Sequence, residues 1–289
     1  MINPAAIQIV PTVHPGAYNM SLLGGTPTLK AFRWHPNPKH WRTELAMEAY
    51  GTTLPILMPQ KYAEHSHEDP RLFIYNGSPH LSATISRTRV NGQSVDPCIQ
   101  IVGELVWGKQ AWTLKNWRQP IYGRNDMTST EKNWCFGWFK DKLVFTYQAF
   151  PHHVVCQMGD GNTVETSWRT ESPKCNFGVY RGGTQTFHYK GKRLRFCHVV
   201  QNNPKAKLYW GYSLAAYLFD VDPPFRIVAV SQQPILTGNE AYEPNCPHWK
   251  PRVCIPYGAI ADGDGWKVSV GLNDCQCAIV TVRPEDLNL

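Results

Sequence analysis

The stretch CFGWFKDKLVFTYQAF (135–150) decides the fold. Two runs of alternating apolar residues flank Lys-Asp-Lys, the signature of a β-hairpin. The same shape recurs in both directions along the chain. LFIYNGSPHLSATIS (72–86) turns at Asn-Gly-Ser, TQTFHYKGKRLRFCHVV (184–200) at Lys-Gly-Lys, and VCIPYGAIADGDGWKVSVGL (253–272) at Asp-Gly-Asp-Gly. AYNMSLLGGTPTLKAFRW (17–34) is a weaker copy with Gly-Gly-Thr-Pro between its arms. Each of the five hairpins is followed by room for two more strands. A four-stranded unit repeated radially is a propeller blade. The pattern therefore predicts an all-β, five-bladed β-propeller, one domain over residues 1–289, with its active site in the central channel. A two-sheet sandwich of similar strand count is the alternative. Only HWRTELAMEAYG (40–51) has the spacing of a short helix.

Composition bounds the function. Charged residues are 18% and aromatics 12% of the 289 residues, which excludes a disordered or fibrous chain. The net charge of +7 suits phosphate, a nucleotide or an acidic polymer as ligand. The densest basic stretches, RWHPNPKHWR (33–42) and YKGKRLRF (189–196), interleave aromatics but also read as solvated turns. No apolar run is long enough to cross a membrane as a helix. The start MINPAAIQIVPTVHPG lacks the pattern of a signal peptide, so a cytoplasmic protein is expected. Among nine cysteines only Cys275 and Cys277 are closely paired, and no second pair completes a zinc site. Buried free thiols are expected, with no metal and no cofactor.

Polar clusters sit at matching places beside the hairpins. Tyr18-Asn19-Met20-Ser21 begins the first, whose outgoing strand carries Arg33. His67-Glu68-Asp69-Pro70-Arg71 precedes the second, and Glu131-Lys132-Asn133-Trp134 the third. Arg181-Gly182-Gly183-Thr184 opens the fourth, which carries His198, and Asn273-Asp274 closes the fifth. Charged residues at strand entries are costly unless paired. One such cluster is ordinary turn chemistry; five in register point to a shared polar cavity on the propeller axis.

These residues resemble the five-bladed propeller enzymes of glycoside hydrolase family 130, the β-mannoside phosphorylases and hydrolases. They are also similar to a distant branch of that fold among glycan-processing proteins and glycosyltransferases. The family's EDPR segment is matched by Glu68-Asp69-Pro70-Arg71, its lysine segment by Glu131-Lys132-Asn133-Trp134, and its YHG segment in part by Cys197-His198-Val199. Its late Pro-rich turn and its "FPCGA…YYGAAD" ending correspond to DVDPPFRIVAVSQQPIL (220–236) and IPYGAIADGDGWKVSVGLND (255–274). The resemblance spans roughly 18–280.

The resemblance implies that Asp69 is the general acid of an inverting cleavage or transfer at a glycosidic bond. In the phosphorylases the proton passes by way of a sugar hydroxyl. It further implies that Lys132 binds sugar hydroxyls or phosphate, that His198 contacts phosphate, and that Asp274 holds the sugar in the first subsite. Asn133 would assist, and Glu68, Arg71, Asn19 and Arg33 complete the substrate-binding set. Glu131 is the choice for a second carboxylate acting as base. Two features stand on their own chemistry: Arg181 beside Gly182 and Gly183 suits a phosphate, and His152, after Pro151, is either an anion ligand or a strand cap. Trp134, Trp138, Tyr209 and Tyr212 are stacking platforms or interblade packing, the latter favoured.

The expected ligands are a sugar, a sugar phosphate or a nucleotide sugar, with a glycan acceptor and no membrane. Transfer or phosphorolysis is favoured over hydrolysis. The alternatives are a non-catalytic glycan-binding propeller and a glycosyltransferase acting on nucleic acid. The basic-aromatic stretches permit the last, but no nucleic-acid motif supports it.

Overall fold

The computed structural model describes residues 7–10, 17–36, 42–86, 89–90, 93–94, 98–123, 125, 130–201, 211–238 and 252–289. Its strands form five antiparallel blades. The first holds Tyr18–Leu23, Leu29–Trp34, Glu44–Ala49 and Thr52–Leu57; the second Ser66–Tyr75, Ser78–Ser86, Cys98–Trp107 and Trp112–Arg118. The third holds Cys135–Phe139, Lys142–Gln148, His152–Met158 and Val164–Glu171. In the fourth, Val179–Arg181 and Phe187–Tyr189 both pair with Lys192–Gln201, followed by Gly211–Phe219 and then Ile227–Val230 and Leu236–Thr237. The fifth holds Cys254–Asp262, Gly265–Leu272 and Gln276–Val282, and Ile7–Ile9 joins it as outermost strand. Every expected hairpin is present, and the turns fall at the Gly, Asn, Asp and Lys residues that predicted them. Asn76, Lys140, Asp141 and Lys190 all have positive φ there.

The core is divided among the gaps between blades. Leu45, Met47, Leu81 and Ile99 pack between blades one and two, and Phe73, Trp134, Phe136 and Phe145 between two and three. Tyr180, Cys197, Tyr217 and Phe225 pack between three and four, and Phe196, Trp266, Val268 and Leu272 between four and five. Met20, Phe32, Ala46 and Cys277 close the ring between five and one. Blades one and two are also zipped at their outer edge, where Trp112 and Thr113 pair in parallel with Ile56 and Leu57.

The expected helix in 40–51 is instead the strand Glu44–Ala49. Leu45 and Met47 face one interblade core and Ala46 the other. A strand buried on both faces shows no polar alternation, so its apolar run mimics a helix. Residues 37–41, and with them part of the basic stretch 33–42, lie outside the described residues, as does Tyr209. Trp134 is fully buried and stacks on Phe145 at 4.6 Å, the packing role expected of it, whereas Trp138 is exposed. The expectation of free thiols fails at Cys275, which is disulfide-bonded. Seven other cysteines are free. No helix among the described residues is long and apolar enough to cross a membrane.

Leu81 is completely buried in the core between blades one and two. Leu81→Ala is expected to lower unfolding stability by about 2–5 kcal/mol, read by urea denaturation.

Candidate active site

Four of the five innermost strands share a defect. Opposite Thr84 and Ser82 the second blade places Glu68 and Arg71, so three residue steps face two. The first blade does the same between Tyr18 and Ser21. In the fourth, Arg181 pairs with His198 while the Thr184 amide bonds the Phe196 carbonyl, which is the same count. The fifth carries a bulge at Tyr257, between Pro256 and Gly258. A bulge breaks the alternation of side chains and re-aims them. The residue that turns the chain has positive φ: Asn19 (56°), Asp69 (52°), Asn133 (65°) and Gly182 (56°). Asn, Asp and Gly tolerate that region best. At Gly182 a Cβ would lie 3.1 Å from Asn133 Cβ and 3.2 Å from His198 Cε1, so blades three and four meet closely here.

At Glu68-Asp69 the defect puts both carboxylates into one polar cluster, where simple alternation would have separated them. Glu68 is salt-bridged to Arg33 at 3.2 Å and to Lys132 at 3.6 Å, and Ser86 Oγ donates to it at 3.1 Å. Arg33 is braced by Thr43 Oγ1 at 2.9 Å, and its guanidinium lies over the Tyr18 ring at 5.0 Å. Burial pulls the Arg33 and Lys132 cations down, but Glu68 and Asp69 outweigh it, so both are held above their ordinary values. Asp69 Oδ1 accepts a hydrogen bond from Tyr257 Oη at 3.2 Å. Asp274, in the left-handed pair Asn273-Asp274, acts electrostatically on Tyr18, Arg33 and Tyr257. Arg33, Glu68, Asp69, Lys132 and Asp274 are therefore brought together, from four blades.

A second, cationic corner adjoins them. Arg71 Nη1 donates to the carbonyls of Gly183 and Pro256, the latter at 3.0 Å, while its buried Nη2 has no hydrogen-bond partner among the described residues. Arg71 thus ties three blades together and keeps one donor in reserve. His198 is completely buried, and its Nδ1 has no partner either. Burial, reinforced by Arg71 and Arg181, pushes its imidazole down to about 3, so it is neutral at pH 7. Arg181 itself is exposed. Asn19 Oδ1 is buried against Gly271 with no hydrogen-bond partner among the described residues, and Asn133 packs on Gly182.

Two expected residues lie elsewhere. The Glu131 carboxylate accepts from Tyr147 Oη at 3.3 Å and abuts Gly123, in the cleft between blades two and three. Its neighbour Lys132 reaches Glu68 instead. His152 sits on the third strand of blade three, opposite Glu171, and its Nδ1 is engaged by Arg169 Nη2 at 3.0 Å. Neither joins the cluster. Tyr257 and Thr43 were missed as site residues, whereas Tyr18 stood in the first of the expected polar clusters. Tyr257 reads as apolar packing inside its strand, and its carboxylate partner is 188 residues away. Its place in the IPYGAIADG stretch was the available signal.

A cavity of about 410 Å³ lies at the far end of strand Ser66–Tyr75, lined by Tyr75, His80, Glu104 and Arg118 among others, away from the cluster. No group of three or more His, Cys, Asp or Glu residues among those described is placed to hold a metal ion.

No protein-family model and no curated protein matches the sequence. Solved structures match in fold. The β-1,2-mannobiose phosphorylase of Listeria innocua, in complex with β-1,2-mannobiose, superposes with a TM-score of 0.65 at 14% identity, covering 98% of this chain and 96% of that one. A structure from work on glycoside hydrolases of family 130 that target β-1,2-mannosidic linkages in Candida mannan gives 0.67 at 12%, covering 94% and 85%. The mannose phosphorylase of Leishmania mexicana, in complex with phosphate, gives 0.58 at 12%, covering 93% and 84%. The resemblance seen in the residues holds at the level of the fold: the chain is an all-β propeller similar to those of family 130.

The buried histidines set a pH dependence. Burial pushes His67 and His153 down to about 4 and His198 to about 3. Unfolded histidines titrate near 6.5, so between there and about 4 the unfolded state binds protons that the native state refuses. Stability to urea is expected to hold above pH 6.5 and to fall as pH drops toward 4. His67→Gln is expected to flatten that fall in denaturation curves at pH 7.5, 6 and 5.

Proposed function

We propose that this protein is a carbohydrate-active enzyme that cleaves or forms a glycosidic bond with inversion, with Asp69 as general acid. The observation that carries this is the left-handed bulge at Asp69. It delivers an acid to the axis beside a second carboxylate, Glu68, whose charge is already balanced by Arg33 and Lys132. The two carboxylates then have separate tasks. Glu68 holds the cations that meet sugar hydroxyls, and Asp69 keeps an oxygen for proton transfer. In cleavage, Asp69 gives its proton to the departing glycosidic oxygen. The nucleophile attacks the anomeric carbon from the opposite face as the C–O bond breaks.

Phosphorolysis or transfer from a sugar phosphate or nucleotide sugar is favoured over hydrolysis. Water needs a base, and Glu131 is engaged with Tyr147. An anionic nucleophile needs none, and the corner of Arg71 Nη2, Arg181 and neutral His198 offers donors for its oxygens. The similar structures that hold mannobiose and phosphate agree with this choice of ligand class.

A thermal-shift screen over sugars, sugar 1-phosphates, nucleotide sugars and inorganic phosphate tests the ligand class. Stabilisation by a phosphorylated sugar or by phosphate is expected; stabilisation by free sugars alone would turn the assignment toward a hydrolase or a lectin. Asp69→Asn keeps the left-handed backbone. It is expected to lower turnover by about 10²–10⁴-fold while ligand-induced stabilisation persists. Unchanged turnover would remove the acid role from Asp69.

A further inference from the structure

We infer that Tyr257, contributed by the fifth blade, is the positioning residue for the Asp69 carboxyl and selects which of its two oxygens faces the ligand. The inference rests on the acid role proposed for Asp69.

The geometry begins with the backbone. Tyr257 is the extra residue of the bulge on strand Cys254–Asp262, and its neighbour Gly258 has no room for a Cβ against the Leu22 backbone. Ser21 Oγ donates to the Tyr257 carbonyl at 3.1 Å and also accepts the Leu72 amide at 2.9 Å. Ser269 Oγ donates to the Gly258 carbonyl at 3.0 Å. The peptide units around Tyr257 are thus pinned from blades one and five, and blade two is tied to the same serine. The ring is held as well. The Arg71 guanidinium lies over it at 5.1 Å and donates to the Pro256 carbonyl at 3.0 Å. A phenol fixed in this way has one remaining freedom, rotation of its hydroxyl hydrogen, and its oxygen lies 3.2 Å from Asp69 Oδ1.

The phenol is a donor throughout the working pH range. Burial, reinforced by Asp69 and Asp274 and opposed by Arg71 and Arg33, holds it well above its ordinary value. With Oδ1 engaged by a phenol oxygen that is held in place, Oδ2 is the oxygen that carries the transferable proton. The other charged and titratable groups around this carboxyl are Tyr18 and Arg33 from blade one, Cys98 from blade two, Lys132 from blade three and Asp274 from blade five, which acts with it on Tyr18, Arg33 and Tyr257. Glu68 and Arg71 share its own strand. All of these remain when the Tyr257 hydroxyl is removed, so its effect can be isolated.

The test needs no substrate. The Asp69 carboxyl carbon is followed by ¹³C NMR through a pH titration, its signal assigned as the one lost in Asp69→Asn. A donor to the ionised form favours that form. Tyr257→Phe is therefore expected to raise the Asp69 midpoint by about one pH unit. Replacement of Tyr257 by 3-fluorotyrosine, a stronger donor of nearly the same shape, is expected to lower it. If Tyr257→Phe fails to fold, the fluorotyrosine protein decides alone. A midpoint that moves in neither variant overturns the inference, even if Tyr257→Phe loses thermal stability, because packing alone would do that. Where a turnover assay exists, Tyr257→Phe is expected to lower kcat with KM nearly unchanged and to move the alkaline limb of the rate profile upward. Failure of the acid role shows separately, as full turnover in Asp69→Asn.

Discussion

The axis of this molecule depends on a backbone that leaves the β region for one residue at the start of an innermost strand. A regular strand entering the ring would send Glu68 and Asp69 to opposite faces, one toward the axis and one into the gap between blades. The left-handed turn at Asp69 cancels that alternation, and Arg33, Lys132, Tyr257 and Asp274 find two carboxylates rather than one. Equivalent turns at Asn19, Asn133 and Gly182 show the same device in other blades with different chemistry attached. The fold supplies a repeated bend; the residue at each bend decides whether it carries a charge, an amide or nothing.

Charge balance at the axis follows from that arrangement. Arg33 lies largely out of water, where a cation is not tolerable alone, whereas Lys132 keeps part of its side chain in solvent. Glu68 sits between them and is braced by Ser86, while Thr43 braces Arg33 from behind. Arg71 is held differently. It spends its donors on main-chain carbonyls of two other blades, so it is a tie across the ring before it is a ligand for anything else.

The hairpins were legible because turn chemistry is local: Asn76-Gly77 and Lys190-Gly191 announce themselves to their neighbours in sequence. The five polar clusters were legible as a repeat. What the chain did not disclose was direction. Glu131 and Lys132 are adjacent and equally polar, yet one faces Tyr147 and the other Glu68, and only the ring decides which. The structural ties of Arg71 were not legible, because carbonyl acceptors 112 and 185 residues away leave no mark on the sequence. Leu45-Ala46-Met47 read as helical because a strand packed on both faces loses its polar half. Ile7–Ile9 was hidden among residues without a recognisable strand pattern, and its pairing with Gln276–Val282 completes the last blade.

The parallel zip between Trp112-Thr113 and Ile56-Leu57 joins blades one and two along their rims as well as through their shared core. Two of the five wedges are therefore joined by main-chain pairing as well as by packing. Blades two and three share a shorter main-chain tie at their rims, the parallel bridge of Ile121 with Thr163, and side-chain cores fill the other seams. Arg33 and Glu68 both belong to the joined pair of blades one and two, whereas Lys132 and Tyr257 are carried by the wedges on either side of it. A shift of blade three or five against this pair would change the grip of Lys132 or Tyr257 before it reached the Arg33–Glu68 contact.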